Sequence, residues 1–467
     1  MLFSSLTFVF IYLPAVLAIY FAVRPAMRNG VLLLASLFFY AWGEPRHLAI
    51  MLLTIGVNYA GARLIAAGGR WRTPLLALTV LCNLSFLGYF KYFNFFVGNL
   101  NSLFSANVDF VHVLMPIGIS FYTFQAISYV IDVYRGETPP QRNIWKLALY
   151  IVLFPQLVAG PIVKYHDIAE QIDRRTIGHD DFLYGVRRFI IGLAKKVLIA
   201  NTIGSVCTQI TSQPYDEISA VTAWIGLVSF AFQVYYDFSG YSDMAIGLGT
   251  LFGFRIPENF NYPLISRSIG EFWRRWHISL STWFKEYLYI PLGGNRSGEL
   301  RTCLNLFIVF LVTGFWHGAS WNMVLWGAWH GMFIVFERLT RNWWKREHGP
   351  CVRMLQHLYA MTVFVAGFAI FLPEGLKASG NYIKAILGLS AKPDASFALG
   401  YYIGIPEMVA FAIALICCMP VFKGLPNRRP QGTFTSIVLN GWFVLLFVLS
   451  FASMAASTYN PFIYFRF

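Results

Sequence analysis

The sequence predicts an all-α polytopic membrane protein, and three observations carry that prediction. Of its 467 residues, 57% are hydrophobic and 18% aromatic. Only 12% are charged, against roughly 25% in an ordinary soluble domain. Apolar runs of about 17 to 25 residues, the length that crosses a hydrocarbon core, recur along the whole chain. The formal charge of +14 sits in short Lys/Arg clusters between those runs. That is the positive-inside pattern of cytoplasmic loops and not a nucleic-acid-binding face, so the bilayer is an expected partner and nucleic acid is not. Cys82, Cys207, Cys303, Cys351, Cys417 and Cys418 include no CxxC pair. Neither a zinc site nor a redox pair is suggested, and no metal is expected.

The opening MLFSSLTFVFIYLPAVLAIYFAV lacks a basic n-region, and its apolar run is too long for a signal-peptide core. It reads as an uncleaved first span. Spans are expected at about 7–23, 30–42, 48–67, 74–97, 110–131, 189–210, 219–250, 302–316, 321–337, 354–372, 401–420 and 434–455. They amount to about ten to twelve transmembrane helices in a single membrane domain, 1–467. Arg24 and Arg28 follow the first span and place the N-terminus outside. Arg63, Arg70, Arg72, Arg135, Arg142, Lys146, Arg338, Arg341, Lys345 and Arg346 fall inside, whereas the acidic loop with Asp216 and Glu217 falls outside.

Two stretches depart from this pattern. Residues 147–163 are apolar but basic on both flanks, and contain Pro155, Gly160 and Pro161. A re-entrant loop fits, because irregular backbone at membrane depth is tolerated where it is buried in protein or lines a cavity; a kinked ordinary span is the alternative. Residues 254–301 are too polar to span. Within them Ile269, Phe272, Trp273, Trp276, Leu280, Trp283, Phe284 and Tyr287 recur at helical spacing, over an arc about 120° wide. This predicts an amphipathic interfacial helix at the cytoplasmic face, with His277 at the edge of the apolar arc.

Three groups could carry chemistry, because polar residues at membrane depth are functional candidates by default. The first is GFWHGASWNMVLWGAWHG, 314–331. The apolar run before it, 302–315, makes only about 21 Å of helix, which places His317, beside Trp316, inside the membrane thickness. A neutral imidazole there can serve as a general base; a histidine bonded to a neighbouring helix is the plainer reading. His330 follows thirteen residues later, about 220° around a continuous helix, and reads as structural. The second group is His277 with its basic neighbours. Arg274, Arg275, Lys285 and Asn295 are candidates for holding the phosphates of an acyl donor, against a solvated face of a surface helix. The third is YYDFSGYSDMAIG, 235–247, where Asp237, Ser239 and Asp243 read as structural or cavity-lining. A Ser-His-Asp triad is not supported, since no G-x-S-x-G elbow occurs.

Together these segments resemble the membrane-bound O-acyltransferase family, in particular its bacterial AlgI-like branch of alginate and polysaccharide O-acetylation. The resemblance runs through MLFSSLTFVFIYLP, LLLASLFFYAW (32–42), LGYFKYFNFF (87–96), LMPIGISFYTFQAISYVIDVYRG (114–136) and FPQLVAGPIVKY (154–165). It continues in QVYYDFSGYSDMAIGLG (233–249), FWRRWHISLSTWFKEYLYIPLGGNR (272–296), the His317 segment and the terminal FIYFRF. The family's near-invariant histidine matches His317, and its second polar position matches His277. The resemblance implies re-entrant and interfacial helices and a helical bundle around a central funnel or tunnel. It also implies acetyl-CoA as donor from the cytoplasm, no permanently bound cofactor, and a bacterial inner-membrane location. An exported polysaccharide would be the acceptor, reached through a periplasmic or membrane-anchored acetyltransferase- or esterase-like partner. Peptidoglycan O-acetylation is the rival within the enzyme class; a non-catalytic acetyl or glycan transporter, or a passive assembly scaffold, is the rival outside it.

Overall fold

The computed structural model describes residues 1–111, 113–390, 399–428 and 432–456, and among these it is predominantly helical, with no β-strand. The terminal FIYFRF segment lies outside the described residues. Among the described residues, six helices are long and apolar enough to cross a membrane: Pro45–Ala67, Gly69–Phe104, His179–Thr211, Glu299–His317, Pro350–Phe371 and Thr433–Ala456. The bent pair Ile405–Cys417 and Pro420–Asn427, which turns by 64°, would make a seventh. The protein is thus an all-α polytopic membrane protein. Other expected spans are helices too short for that criterion, such as Phe8–Ala22 and Arg28–Gly43. Ala220–Leu251 is 32 residues long, but polar side chains interrupt it. One expected span is displaced. Instead of 110–131, the helix is Ile119–Arg135. It starts after Gly118, whose φ of +75° and whose Cβ position 2.7 Å from the Leu157 carbonyl oxygen admit only glycine without strain.

The chain divides into two compact units, Met1–Ile191 with Tyr241–Pro257, and Gly192–Gly240 with the residues from Glu258 onward. The first unit is organised around the 147–163 segment, every residue of which is buried. Helix Ile144–Val152 has nine residues, about 14 Å, and cannot cross a core of about 30 Å. It breaks at Leu153, and a four-residue turn, Phe154–Leu157, follows. The break is held by the protein itself: the Phe154 N–H donates to the fully buried Ser36 hydroxyl at 3.1 Å. The Phe154 ring packs against Tyr12 at 5.6 Å and Phe252 at 5.7 Å. Helices Leu48–Ala67 and Arg72–Leu87 are clasped by reciprocal amide bonds between Asn58 and Asn83, 2.8 and 3.0 Å, both side chains fully buried. Asp243 receives Arg188 at 2.6 Å.

In the second unit, the helices Glu299–His317 and Trp321–Leu339 form a hairpin. Glycine sets their closeness: a Cβ on Gly314 would lie 2.2 Å from the Met323 carbonyl oxygen, and one on Gly327 2.3 Å from that of Phe310. Small residues permit such backbone approach where water supplies no hydrophobic drive between helices. Asn322 ties the hairpin to helix Pro350–Phe371 by donating to the carbonyls of Ile370 and Pro373 and to the Ser379 hydroxyl, at 3.2, 3.0 and 2.6 Å. Phe272 packs on Phe364 at 4.3 Å, and Phe230 on Phe368 at 4.9 Å.

The segment expected as one amphipathic surface helix is different. It is two seven-residue helices, Ile269–Arg275 and Ile278–Phe284, followed by a π-helical turn, Lys285–Tyr289. Its aromatic stripe is buried in the unit, with Phe272 fully covered. The helical spacing signalled burial correctly, but the apolar face meets protein. Gly314→Ala should strain the hairpin by about 1–3 kcal/mol, the usual penalty of overpacking, and lower the thermal midpoint in a detergent-solubilised aggregation assay. Gly380→Ala, at a position with no atom within 4 Å of the new Cβ, should not.

Candidate active site

His317 is the last residue of its helix. The chain then turns through Gly318 and Ala319, and the Ser320 side chain caps the next helix by accepting the Met323 N–H. Because the first helix begins at Glu299, it has 19 residues, about 28 Å, and not the 14 expected. Glu299 joins it by pairing with Arg338 at 2.6 Å, so charged residues extend the helix beyond its apolar run. His317 therefore ends a helix long enough to span, and not one that stops short of crossing. It is 6% exposed. Its ring lies edge-on to Trp326 at 5.1 Å, Trp316 at 4.8 Å and Phe371 at 6.0 Å.

His277 is not on the edge of a helix; it occupies the break between two. Its backbone is left-handed, at φ 44° and ψ 55°, a strained conformation for a residue with a side chain. The side chain is 1% exposed and packs on Phe238 at 4.6 Å and Trp316 at 6.3 Å. Asn259 holds it. The Asn259 Oδ1 accepts the Ser279 backbone N–H at 3.2 Å and the Ser279 hydroxyl at 2.9 Å, and lies 3.2 Å from His277 Nδ1. A backbone N–H can only donate, so this amide atom is the oxygen and Nδ1 must carry the imidazole proton. Nε2 is then the ring's acceptor. Burial, reinforced by neighbouring His317, pushes the His277 pKa well below the usual histidine range, so the ring is neutral.

Trp316 thus links the two histidines by ring contacts. His330 also reaches this cluster, because the break at 318–320 makes the continuous-helix geometry irrelevant. It is fully buried, 4.8 Å from Trp326 and 5.2 Å from Trp273. Neither of its nitrogens, nor the indole N–H of Trp326 or Trp273, finds a partner among the described residues. Buried polar groups are ordinarily satisfied. A cluster of such atoms beside His317 suits a site that receives the polar groups of a substrate or water.

The remaining candidates scatter. Arg275 is engaged by Glu271 at 2.9 Å and by the Asn261 carbonyl at 3.0 Å. Arg274 lines a separate basic pocket. Lys285 and Asn295 are exposed. Asp237 is paired with Lys196 at 2.8 Å, both nearly inaccessible. Ser239 is buried, and its hydroxyl has no hydrogen-bond partner among the described residues. Asp243 belongs to the first unit, on Arg188. No group of three His, Cys, Asp or Glu among the described residues is arranged to hold a metal ion.

A buried histidine pair in an aromatic enclosure, on a polytopic helical scaffold, is suited to proton transfer at a hydroxyl. The sequence comparisons agree with that class of chemistry. Residues 141–373 match the membrane-bound O-acyltransferase family. A Pseudomonas putida protein named "Probable alginate O-acetylase AlgI" is 40% identical over 100% of both chains. Its namesake from Pseudomonas aeruginosa is 45% identical over 83% of this chain and 75% of its own. A Helicobacter pylori protein named "Peptidoglycan O-acetyltransferase" is 34% identical over 84% and 80%. The chain belongs to the membrane-bound O-acyltransferase family, and it is an enzyme, an O-acyltransferase.

Sequence reasoning did not single out Asn259 or Trp326, and placed Trp273 only in the apolar arc. Trp326 carried a usable signal, since it lies one helical turn before His330. Asn259 carried none, because eighteen residues separate it from the ring it orients. Asn259→Leu should lower acyl transfer by about 10–100-fold, as loss of a partner that orients a functional histidine does elsewhere. Asn259→Asp, which retains the acceptor, should recover part of the rate when assayed in isolated membranes.

Proposed function

We propose that this protein is an O-acetyltransferase of the bacterial inner membrane that takes acetyl from cytoplasmic acetyl-CoA and delivers it for O-acetylation of an exported, alginate-type polysaccharide. The observation that carries the reading is the convergence of His317 and His277, forty residues apart in sequence, on one buried aromatic enclosure. His317 accepts the proton of the acceptor hydroxyl while that oxygen attacks the thioester carbonyl. The tetrahedral intermediate then expels the thiolate, which takes the proton back from His317 and leaves as CoA-SH, with the acetyl ester as the other product. General-base assistance of this kind is worth roughly 10²–10⁴-fold.

The Asn259 arrangement limits what His277 can contribute. With its proton on Nδ1 and its charged form disfavoured, His277 is poorly suited to donate to the oxyanion; it orients the acceptor hydroxyl through Nε2. The buried indole N–H of Trp326 is the better donor for the carbonyl oxygen as charge develops. On the donor side, Arg275 is already engaged and Arg274 faces a different cavity, so Lys285 and Asn295 are the favoured contacts for the CoA phosphates. The acceptor is the glycan itself or a hydroxyl on a periplasmic or membrane-anchored partner that passes the acetyl on.

Full-length similarity to proteins named for alginate O-acetylation favours that class of acceptor. The relative named for peptidoglycan supports the second reading, in which peptidoglycan is acetylated. In membranes supplied with radiolabelled acetyl-CoA and polysaccharide, His317→Ala should reduce transfer by about 100-fold or more at equal expression. Undiminished transfer would remove His317 from the chemistry, and acetyl movement surviving loss of both histidines would favour a transporter. Trp326→Phe should lower kcat by about tenfold with little change in KM, because an oxyanion donor acts chiefly in the transition state.

A further inference from the structure

The second unit contains a cavity of about 650 Å³, within the size range of small-molecule sites. It lies where helices Ile269–Arg275, Trp321–Leu339 and Pro350–Phe371 meet. Seven Arg and Lys side chains line it against three carboxylates. Two of the carboxylates are engaged: Glu337 accepts the backbone N–H groups of Ile269 and Gly270, and Glu271 is held by Arg275. Among the cations, Arg338 and Arg341 pair with Glu299 at 2.6 and 3.5 Å. Arg267, Arg274, Lys345 and Arg346 are exposed, and none has a side-chain hydrogen bond or ion pair among the described residues. Four such cations around one cavity suit an anion that carries several charges.

The wall also carries groups that a bare inorganic anion would not use. Gln356 is buried and lines the cavity, yet its amide has no hydrogen-bond partner among the described residues. Trp344, half-buried, lines the cavity beside it. Its ring packs on Tyr359 at 5.3 Å, and Tyr359 follows Gln356 by one turn on the same helix face. The Trp344 indole N–H goes to the Thr340 hydroxyl at 3.0 Å, which leaves the ring surface for contact. A heterocyclic base takes such a pair, stacking on the indole while its edge bonds an amide that both donates and accepts. Leu306 and Ile334 supply the apolar wall. One helical turn beyond them, Phe310 and His330 pack on Trp273 at 5.4 and 5.2 Å. None of these three rings lines the cavity. That layer separates it from His317, so an occupant here has no path for an acyl-bearing arm. The Lys/Arg distribution puts this end of the helices on the cytoplasmic side.

We propose that this cavity binds a free nucleoside di- or triphosphate from the cytoplasm, its phosphates on Arg267, Arg274, Lys345 and Arg346 and its base between Trp344 and Gln356. The site does not depend on which donor or acceptor the enzyme uses. It is tested by equilibrium dialysis of the full chain, held in phosphatidylcholine nanodiscs, against radiolabelled ATP. The wild type should bind saturably. Unlabelled ATP should displace the label at a concentration about fivefold or more below that of inorganic tripolyphosphate, which lacks the base contacts. The triple variant Arg267→Gln, Lys345→Gln, Arg346→Gln, all at exposed positions, should weaken binding about tenfold or more. Trp344→Leu should weaken it about fivefold or more. A charge-matched control, Arg24→Gln, Arg70→Gln, Lys423→Gln, should bind like the wild type. The proposal is overturned if binding to the wild type is not saturable, if the triple variant binds as tightly, or if the control weakens equally, which would mean bulk charge attraction. It is overturned as well if tripolyphosphate competes as effectively as ATP, or if CoA displaces ATP at a lower concentration than ADP does, because the cavity would then serve the donor.

Discussion

A polar group withdrawn from water must find its partner inside the protein, and most of the local irregularity in this chain follows from that constraint. Helices satisfy their own backbone, so a mostly apolar sequence folds into them by default. Wherever the helix stops, a side chain takes over. Ser36 covers the amide freed at Leu153–Phe154. Glu337 covers two amides at the start of Ile269–Arg275. Asn259 covers Ser279 and orients His277 at the next break. Each breaks the regular pattern and replaces a missing backbone partner with a specific, buried one.

The catalytic reading grows from the same constraint. Neutral imidazoles can be buried at tolerable penalty where charged groups cannot, and a carboxylate in this interior is met by a cation, as with Lys196 and Asp237. Several of the atoms left unsatisfied cluster around His317: the nitrogens of His330 and the indoles of Trp273 and Trp326. Such donors and acceptors, unmatched among the described residues, are what the proposed chemistry would use to receive a reacting carbonyl and hydroxyl.

Much of this was legible in the sequence for identifiable reasons. Apolar runs register as helices because backbone satisfaction leaves no alternative, so most expected spans fall on observed helices within a few residues. The irregularity of 147–163 was written in its basic flanks and its prolines, which left a re-entrant loop and a kinked span both open; the structure adds the break at Leu153. The aromatic stripe from Ile269 to Tyr287 was read as the apolar face of one interfacial helix, but it is buried in protein and split over two helices, because spacing reports which side is covered and neither what covers it nor whether the backbone is continuous. The start of Glu299–His317 was misplaced because an apolar window ends at the first charge, while Glu299 and Arg301 remain helical with Glu299 paired to Arg338 and Arg341.

By itself, then, the sequence determined the class of fold and offered the two histidines as candidates, since hydrophobic length and residue type are properties of local chain. Only the tertiary structure decided which atoms face them. The tautomer of His277 depends on Asn259, the company of His317 on the Gly314–Gly327 crossing, and the nearness of His330 on a three-residue turn. Those are contacts between separate elements, and no apolar window or residue spacing encodes the distance at which two helices pass.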